Sequence, residues 1–389
     1  MNAVIVSAVR TPIGKYGKGF LEVPANELGS IVVKEALRRS GMDSEAVDEV
    51  IMGNVIGSGL GQNPARQSAL KAGFSYNINS FTVNKVCGSG LKTVMLAAQS
   101  IKAGDNQIVI AGGMENMSNS PYFIRGARFG LKYDHAVLED AMIADGLWDA
   151  YYNLHMIKTG EVIAEKYKLT REEIDEFAYQ SHMKAHKATV SGLFADEIIP
   201  VKVSNGVIGT DEGIRPDTTV EKLLKLKPVS KDGKFVTAGN ASQLSDGASA
   251  LTVMSGEKAK ELGLEPLMKI IGYNSVGVDP LYVMEAPIPG IKKLLEKTGF
   301  KVGDIDLFEH NEAYASASVA VKKALNIPDE KFNVNGGAVA LGHPLGASGA
   351  RVLTTLTYNL IHYKKRYGIA SLCLGGGNAV SMVIENLKM

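Results

Sequence analysis

The sequence predicts an α/β protein made of a duplicated βαβαβ unit with an inserted loop domain. Three observations carry that expectation: an internal repeat, apolar strands of the kind buried on both faces, and a central stretch with no copy elsewhere. The repeat aligns without gaps where residues 34–41 and 47–50 meet residues 292–299 and 305–308. Each copy reads as an amphipathic helix with a glycine stop, a short turn and an apolar strand.

The chain opens on Asn2-Ala3-Val4-Ile5-Val6-Ser7-Ala8-Val9-Arg10. This run is too short for a signal sequence and has no basic segment before it, so it reads as a first strand. Val4 to Val6 find their counterpart in Ile270 and Ile271. A β-rich run, Phe81-Thr82-Val83, then leads through a glycine turn into residues 91–98, which have good helix propensity. Gly88-Ser89-Gly90 in that turn matches Ala347-Ser348-Gly349, and the strand at 108–113 matches residues 369–375. Residues 118–240 are richer in charge and aromatics and hold the only tryptophan, Trp148. They are expected to be an insertion covering the active face. The expected organisation is residues 1–117 with 241–267 as the N-terminal repeat, 118–240 as the insertion, and 268–389 as the C-terminal repeat.

At 389 residues the chain exceeds one ordinary core. A net charge of +1 with interspersed acids and bases leaves no basic stripe for nucleic acid or an anionic membrane. No apolar stretch approaches the ~20 residues that cross a bilayer. Two cysteines fit a reducing compartment, and the cytoplasm is expected.

Both cysteines sit at glycine clusters: Cys87 in Asn84-Lys85-Val86-Cys87-Gly88-Ser89-Gly90, and Cys373 in Ser371-Leu372-Cys373-Leu374-Gly375-Gly376-Gly377. A strand-to-helix turn would put the Cys87 sulfur at a helix N-terminus, where the dipole and free N–H groups favour thiolate and receive an oxyanion. The alternative is that each thiol is a small buried hydrophobe. His343, in Gly342-His343-Pro344-Leu345-Gly346, lies at the counterpart of the Cys87 turn and would face it across the pseudo-twofold as a base; alone it would be a turn residue. Asn311, in Asn311-Glu312-Ala313, ends the strand at 305–308, where its amide could hold a water or carbonyl oxygen, or cap a helix. Asn240-Ala241-Ser242 offers a hydroxyl and an amide in a small-residue loop. Gly57-Ser58-Gly59-Leu60-Gly61-Gln62 lacks the spacing of a phosphate cradle. His182 and His186 have helical spacing but no third ligand, so they are expected on a solvated face, and no metal is expected.

Together with Gly112-Gly113-Met114-Glu115-Asn116-Met117-Ser118, these motifs resemble the thiolase family in order and spacing over essentially the whole chain. Within that family the chain is most similar to biosynthetic acetyl-CoA acetyltransferases, which place a His-Met pair like His155-Met156 against pantetheine and the acyl pocket. The resemblance implies a five-layered α-β-α-β-α fold. It also implies a ping-pong Claisen condensation of two acetyl-CoA to acetoacetyl-CoA plus CoA, and the reverse thiolysis. Cys87 would carry the acetyl group with His343 lowering its pKa, and Cys373 would be the acid/base. One oxyanion site would use His343 and a water on Asn311; the other would use the N–H groups of Cys87 and Gly375. His155, Met156, Arg215, Ser242 and Gly375 would contact coenzyme A, which comes and goes as a substrate; no permanently bound cofactor is implied. A homotetramer joined through the aromatic stretch 129–148 and a role in fatty acid or ketone metabolism are further implications. Ser230, His310, Tyr314 and Ala379 depart from the family pattern. A degradative 3-ketoacyl-CoA thiolase of broader chain length, a condensing enzyme acting on carrier-protein thioesters, and a noncatalytic acyl-CoA or lipid-binding relative remain as alternatives.

Overall fold

A computed structural model describes residues 2–389. The first repeat runs β1 (Ala3–Arg10), α1 (Ala25–Ser40), β2 (Glu49–Gly53), α2 (Pro64–Lys71), β3 (Asn79–Val83), α3 (Ser89–Ala103) and β4 (Ile108–Asn116). After it come α4 (Ile157–Lys166), α5 (Arg171–Val190) and α6 (Val220–Leu224), then β5 (Ser245–Ser255) and α7 (Gly256–Glu261). The second repeat holds β6 (Met268–Gly277), α8 (Pro287–Thr298), β7 (Leu307–His310), α9 (Ala315–Leu325), α10 (Ala338–Leu341), α11 (Leu345–His362), β8 (Tyr367–Leu374) and β9 (Asn378–Asn386).

The strand order displays the duplication. One half reads β1-β5-β4-β2-β3 and the other β6-β9-β8-β7. They meet at β1 and β6, which run antiparallel and share two residue pairs, Val4 with Lys269 and Ile5 with Met268. The halves thus form one hydrogen-bonded path with a short seam. The counterpart of β3 in the second half shrinks to a single parallel bridge between Phe308 and Phe332.

Helices complete the layering. α1 and α2 cover the outside of the first half, with Leu28, Val32 and Ala69 packed on Val50 and Met52. α3 and α11 lie between the halves, where Leu91, Val94, Leu353 and Leu356 join Ala111 and Leu251 from one side and Leu372 and Met382 from the other. α8 and α9 cover the second half through Leu294 and Val321 on Ile369 and Val383. This is the α-β-α-β-α order. The glycine stops are in place: α1 ends on Gly41 at φ 69° and α8 on Gly299 at φ 76°, both left-handed caps that only glycine adopts cheaply.

Residues 118–240 form short strand pairs and α4 to α6. α4 packs on α9, and α5 on α9 and α10. A buried ion cluster ties the end of this stretch to β1: Arg10 Nε donates to Glu197 at 2.7 Å, and its two terminal nitrogens donate to Asp211 at 2.6 and 2.9 Å. The expected solvated histidine face holds only for His186. His182 is buried with Ile174, Ala178 and Ala185 along one stripe of α5, and its Nδ1 accepts from the Arg215 N–H at 3.1 Å. Among the described residues no cluster of His, Cys, Asp and Glu could hold a metal ion, and no helix is long and apolar enough to cross a membrane.

Candidate active site

Cys87 follows a residue in an unusual conformation. Val86 has φ 46°, a left-handed geometry that costs a β-branched side chain about 1–3 kcal/mol. Local polar groups hold it there. Asn84 Oδ1 accepts from the Val86 N–H at 3.0 Å, and Ser89 Oγ accepts from the Lys85 N–H at 2.8 Å while donating to the Val86 carbonyl at 2.6 Å. The turn delivers the sulfur into a narrow cavity of about 50 Å3 that also contains His343 and Cys373. The N–H groups of Gly375 and of Cys87 itself point at that sulfur.

One expectation is corrected here. Cys87 lies just outside the N-cap, Gly88, and burial pushes its thiol up to about 11 against the pull of the two N–H groups. Desolvation of a thiolate thus opposes what the helix end and the two N–H groups supply.

His343 reaches the cavity through Gly342, whose φ is 116° and where a Cβ would fall 2.1 Å from Ser245 Oγ. Only glycine fits. The hydrogen bonds fix the imidazole tautomer. Ser348 Oγ spends its proton on the Pro344 carbonyl at 2.8 Å, so it accepts from His343 Nδ1–H at 2.5 Å. Nε2 therefore keeps its lone pair, and the Asn311 amide nitrogen donates to it at 3.3 Å. Burial, with Arg351 adding to it, pulls His343 down to about 3, so the ring is a neutral base. Asn311 Oδ1 is buried without a hydrogen-bond partner among the described residues.

Cys373 lies near the end of β8, opposite Ala379 of β9. Its thiol donates to Met284 Sδ at 3.7 Å, and burial, then the neighbouring Cys87, push it above the usual thiol range. Both cysteines are free.

Met156, Ser242 and Gly375 line the same cavity, as do Leu147, Val283, Met284, Tyr314 and Leu345. Burial, then the two neighbouring thiols, push the Tyr314 hydroxyl above its usual range. His155 and Arg215 do not line it. His155 Nδ1 instead accepts from the Ile157 N–H at 3.1 Å, and Arg215 uses its N–H on His182. Asn240 braces a loop, its amide donating to Asp175 at 2.7 Å. His310 faces away, bonded to Ser318 at 3.0 Å and stacked on Phe332. Leu147, Val283 and Met284 carry no motif and were missed; only the folded chain brings the Met142–Leu147 and Pro280–Glu285 segments to Cys373.

Residues 3–257 match the thiolase N-terminal domain and residues 264–386 the thiolase C-terminal domain. A probable acetyl-CoA acyltransferase of Staphylococcus epidermidis is 48% identical over 391 residues, 99% of each chain. One from Staphylococcus aureus strain COL is 48% identical over 392 residues, all of both chains. The crystal structure of the Bacillus anthracis acetyl-CoA acetyltransferase is similar with a TM-score of 0.96 at 44% identity, covering 99% of each chain. Fold, site and relatives together define an acyltransferase. The chain belongs to the thiolase family.

Proposed function

We propose that this chain is an acetyl-CoA C-acetyltransferase that condenses two acetyl-CoA to acetoacetyl-CoA plus CoA and catalyses the reverse thiolysis. The observation that carries this reading is one narrow cavity lined by Cys87, Cys373 and His343, with two N–H groups aimed at the first sulfur.

Starting from two thiols and a neutral imidazole, the proton transfers of this reading balance over one turnover. Cys87 attacks the thioester carbonyl as His343 Nε2 takes its proton. The oxyanion forms against donors that meet charge only in the transition state, each worth about 2.7–4 kcal/mol. The C–S bond to CoA breaks, and the departing thiolate takes the proton of Cys373. Cys373, now a thiolate, removes an α-proton from the second acetyl-CoA. The resulting enolate attacks the acetyl carbon, the bond to Cys87 breaks, and Cys87 recovers its proton from His343. Both thiols and the imidazole return to their starting forms.

The tight walls of Met156, Leu147, Met284 and Tyr314 support a short acyl group over a long one. Coenzyme A is a transient substrate in this reading; Ser242 and Gly375 at the cavity are its nearest supported contacts, and His155 and Arg215 would bear on it only outside the cavity. Phe129, Tyr133, Val137 and Leu138 stand strongly exposed in one stretch of the insertion, which supports a subunit contact and a homotetramer.

Intact-mass spectrometry after brief exposure to acetyl-CoA tests the chemistry. An adduct of about 42 Da that requires Cys87 and survives in Cys373→Ala, with condensation lost there, is expected. Binding of CoA thioesters without any adduct would replace this function by a noncatalytic one.

A further inference from the structure

Glu115 is a buried carboxylate that the proton transfers above do not use. It stands on β4, fully shielded from solvent. Its Oε1 accepts from the Asn54 amide at 2.7 Å and the Ile56 N–H at 3.1 Å; its Oε2 accepts from the Val55 N–H at 3.0 Å and the Gly346 N–H at 2.8 Å. Gly346 is the second residue of α11 and lies three residues after His343. One side chain of the first repeat thus caps the helix that begins at the His343 turn, while also holding the loop that follows β2. The backbones meet closely: a Cβ on Gly113 would lie 2.0 Å from the Gly346 carbonyl oxygen.

We propose that Glu115 is a positioning residue for acyl transfer, fixing the His343 turn of the second repeat against the first repeat, which carries Cys87. The two turns come from different halves whose only strand seam is the two-residue β1–β6 pairing. Beyond that seam the halves meet through α3 and α11, and at the turns themselves Glu115 crosses between them through its bond to the Gly346 N–H, while its other three hydrogen bonds hold it to the loop after β2. The ionisable groups around it are Asp246 of β5, whose charge opposes its ionisation, and Cys87, whose ionisation it opposes in turn. Burial pushes the Glu115 carboxyl up to about 7 against the pull of the Gly346, Ile56 and Val55 N–H groups.

The charge gives a readout that a scaffold role would not move. Full-length wild type, Glu115→Gln and Asn54→Ala are compared in two assays: turnover of acetyl-CoA, and the rate of Cys87 alkylation by iodoacetamide against pH, followed by peptide mass spectrometry. In Glu115→Gln an amide NH2 must confront two of the N–H donors, and kcat is expected to fall roughly 10- to 100-fold with KM little changed. Its alkylation midpoint should shift to lower pH, because the negative charge beside Cys87 is gone, and an inflection near pH 7 in the wild type should vanish. Asn54→Ala keeps the charge and removes one donor, so a smaller kcat loss with an unmoved midpoint is expected. Unchanged kcat in folded Glu115→Gln, or an unmoved midpoint there, overturns the proposal. If Glu115→Gln does not fold, unchanged kcat in Asn54→Ala overturns it. The kinetic arm rests on the acetyl-transfer reading and the alkylation arm does not. A shifted midpoint in an enzyme that turns over no acetyl-CoA would therefore sink that reading while supporting the placement of Glu115 beside Cys87.

Discussion

Cys87 and His343 line one cavity, and the imidazole can serve as a base there only if Nε2 rather than Nδ1 carries the lone pair. Here Ser348 decides that, by spending its hydroxyl proton on Pro344 and accepting from His343 Nδ1–H. Ser348→Ala is expected to lower the rate of Cys87 acetylation about 10-fold or more, read by quenched-flow mass spectrometry, with the thermal midpoint little changed. Tyr314 is the second residue whose substitution is informative. Removing its hydroxyl in Tyr314→Phe makes the cavity wall more apolar, and the ratio of kcat/KM for 3-ketovaleryl-CoA over acetoacetyl-CoA thiolysis is expected to rise; one methylene in such a site is worth about 1–3 kcal/mol. At this scale Cys87, His343, Cys373 and Asn311 were legible because each stands at a glycine-bounded turn or strand end repeated in both halves. Their protonation was not legible: a helix N-terminus is written in the local sequence, but desolvation comes from every element packed around the cavity. Met284 was invisible for the same reason.

At the level of elements, the glycine that ends α10 controls the base. Gly342→Ala would force a Cβ onto Ser245 at a φ that L-residues avoid. It is expected to cost about 1–3 kcal/mol of stability, seen as a lower denaturation midpoint, and to remove acetylation by displacing His343. The helices with glycine stops and the strands after them were readable from periodicity alone, since α1 and α8 carry the same stripe and the same left-handed cap. The missing strand was not readable. Residues around Phe332 hold apolar side chains as a strand would, yet only one bridge forms, because the Asn333 side chain, rather than a further strand residue, pairs with the His310 N–H and carbonyl and reaches Glu312. His182 was misjudged because spacing alone does not say which face of α5 meets α10.

Across the whole molecule, buried ionisable groups set how stability responds to pH. Burial pushes Glu309 up to about 8, so the folded protein keeps a proton that the unfolded chain releases near 4.5; the stability this site adds is lost as pH rises toward 8. His310 and His343 are pulled down to about 3, so the unfolded chain binds protons below about 6.5 that the folded one refuses, and stability falls as pH drops below that value. The melting temperature is therefore expected to decline from pH 6.5 to 8, and Glu309→Gln, which can still accept from Asn359, should flatten that limb in calorimetry. Replacing Phe129 and Tyr133 by serine is expected to reduce the subunit number seen by light scattering while leaving acetylation of Cys87 intact.

The unequal ends of the strand path carry a last consequence. β3 closes one end with a partly exposed edge, whereas β7 at the other end is buried throughout and bridged by Phe332. A faithful duplication would have left two matching sticky edges, and a chain with two such edges can add copies without limit. With β7 covered, only β3 keeps an edge that a second copy could extend, and two copies joined there would leave no further edge for a third.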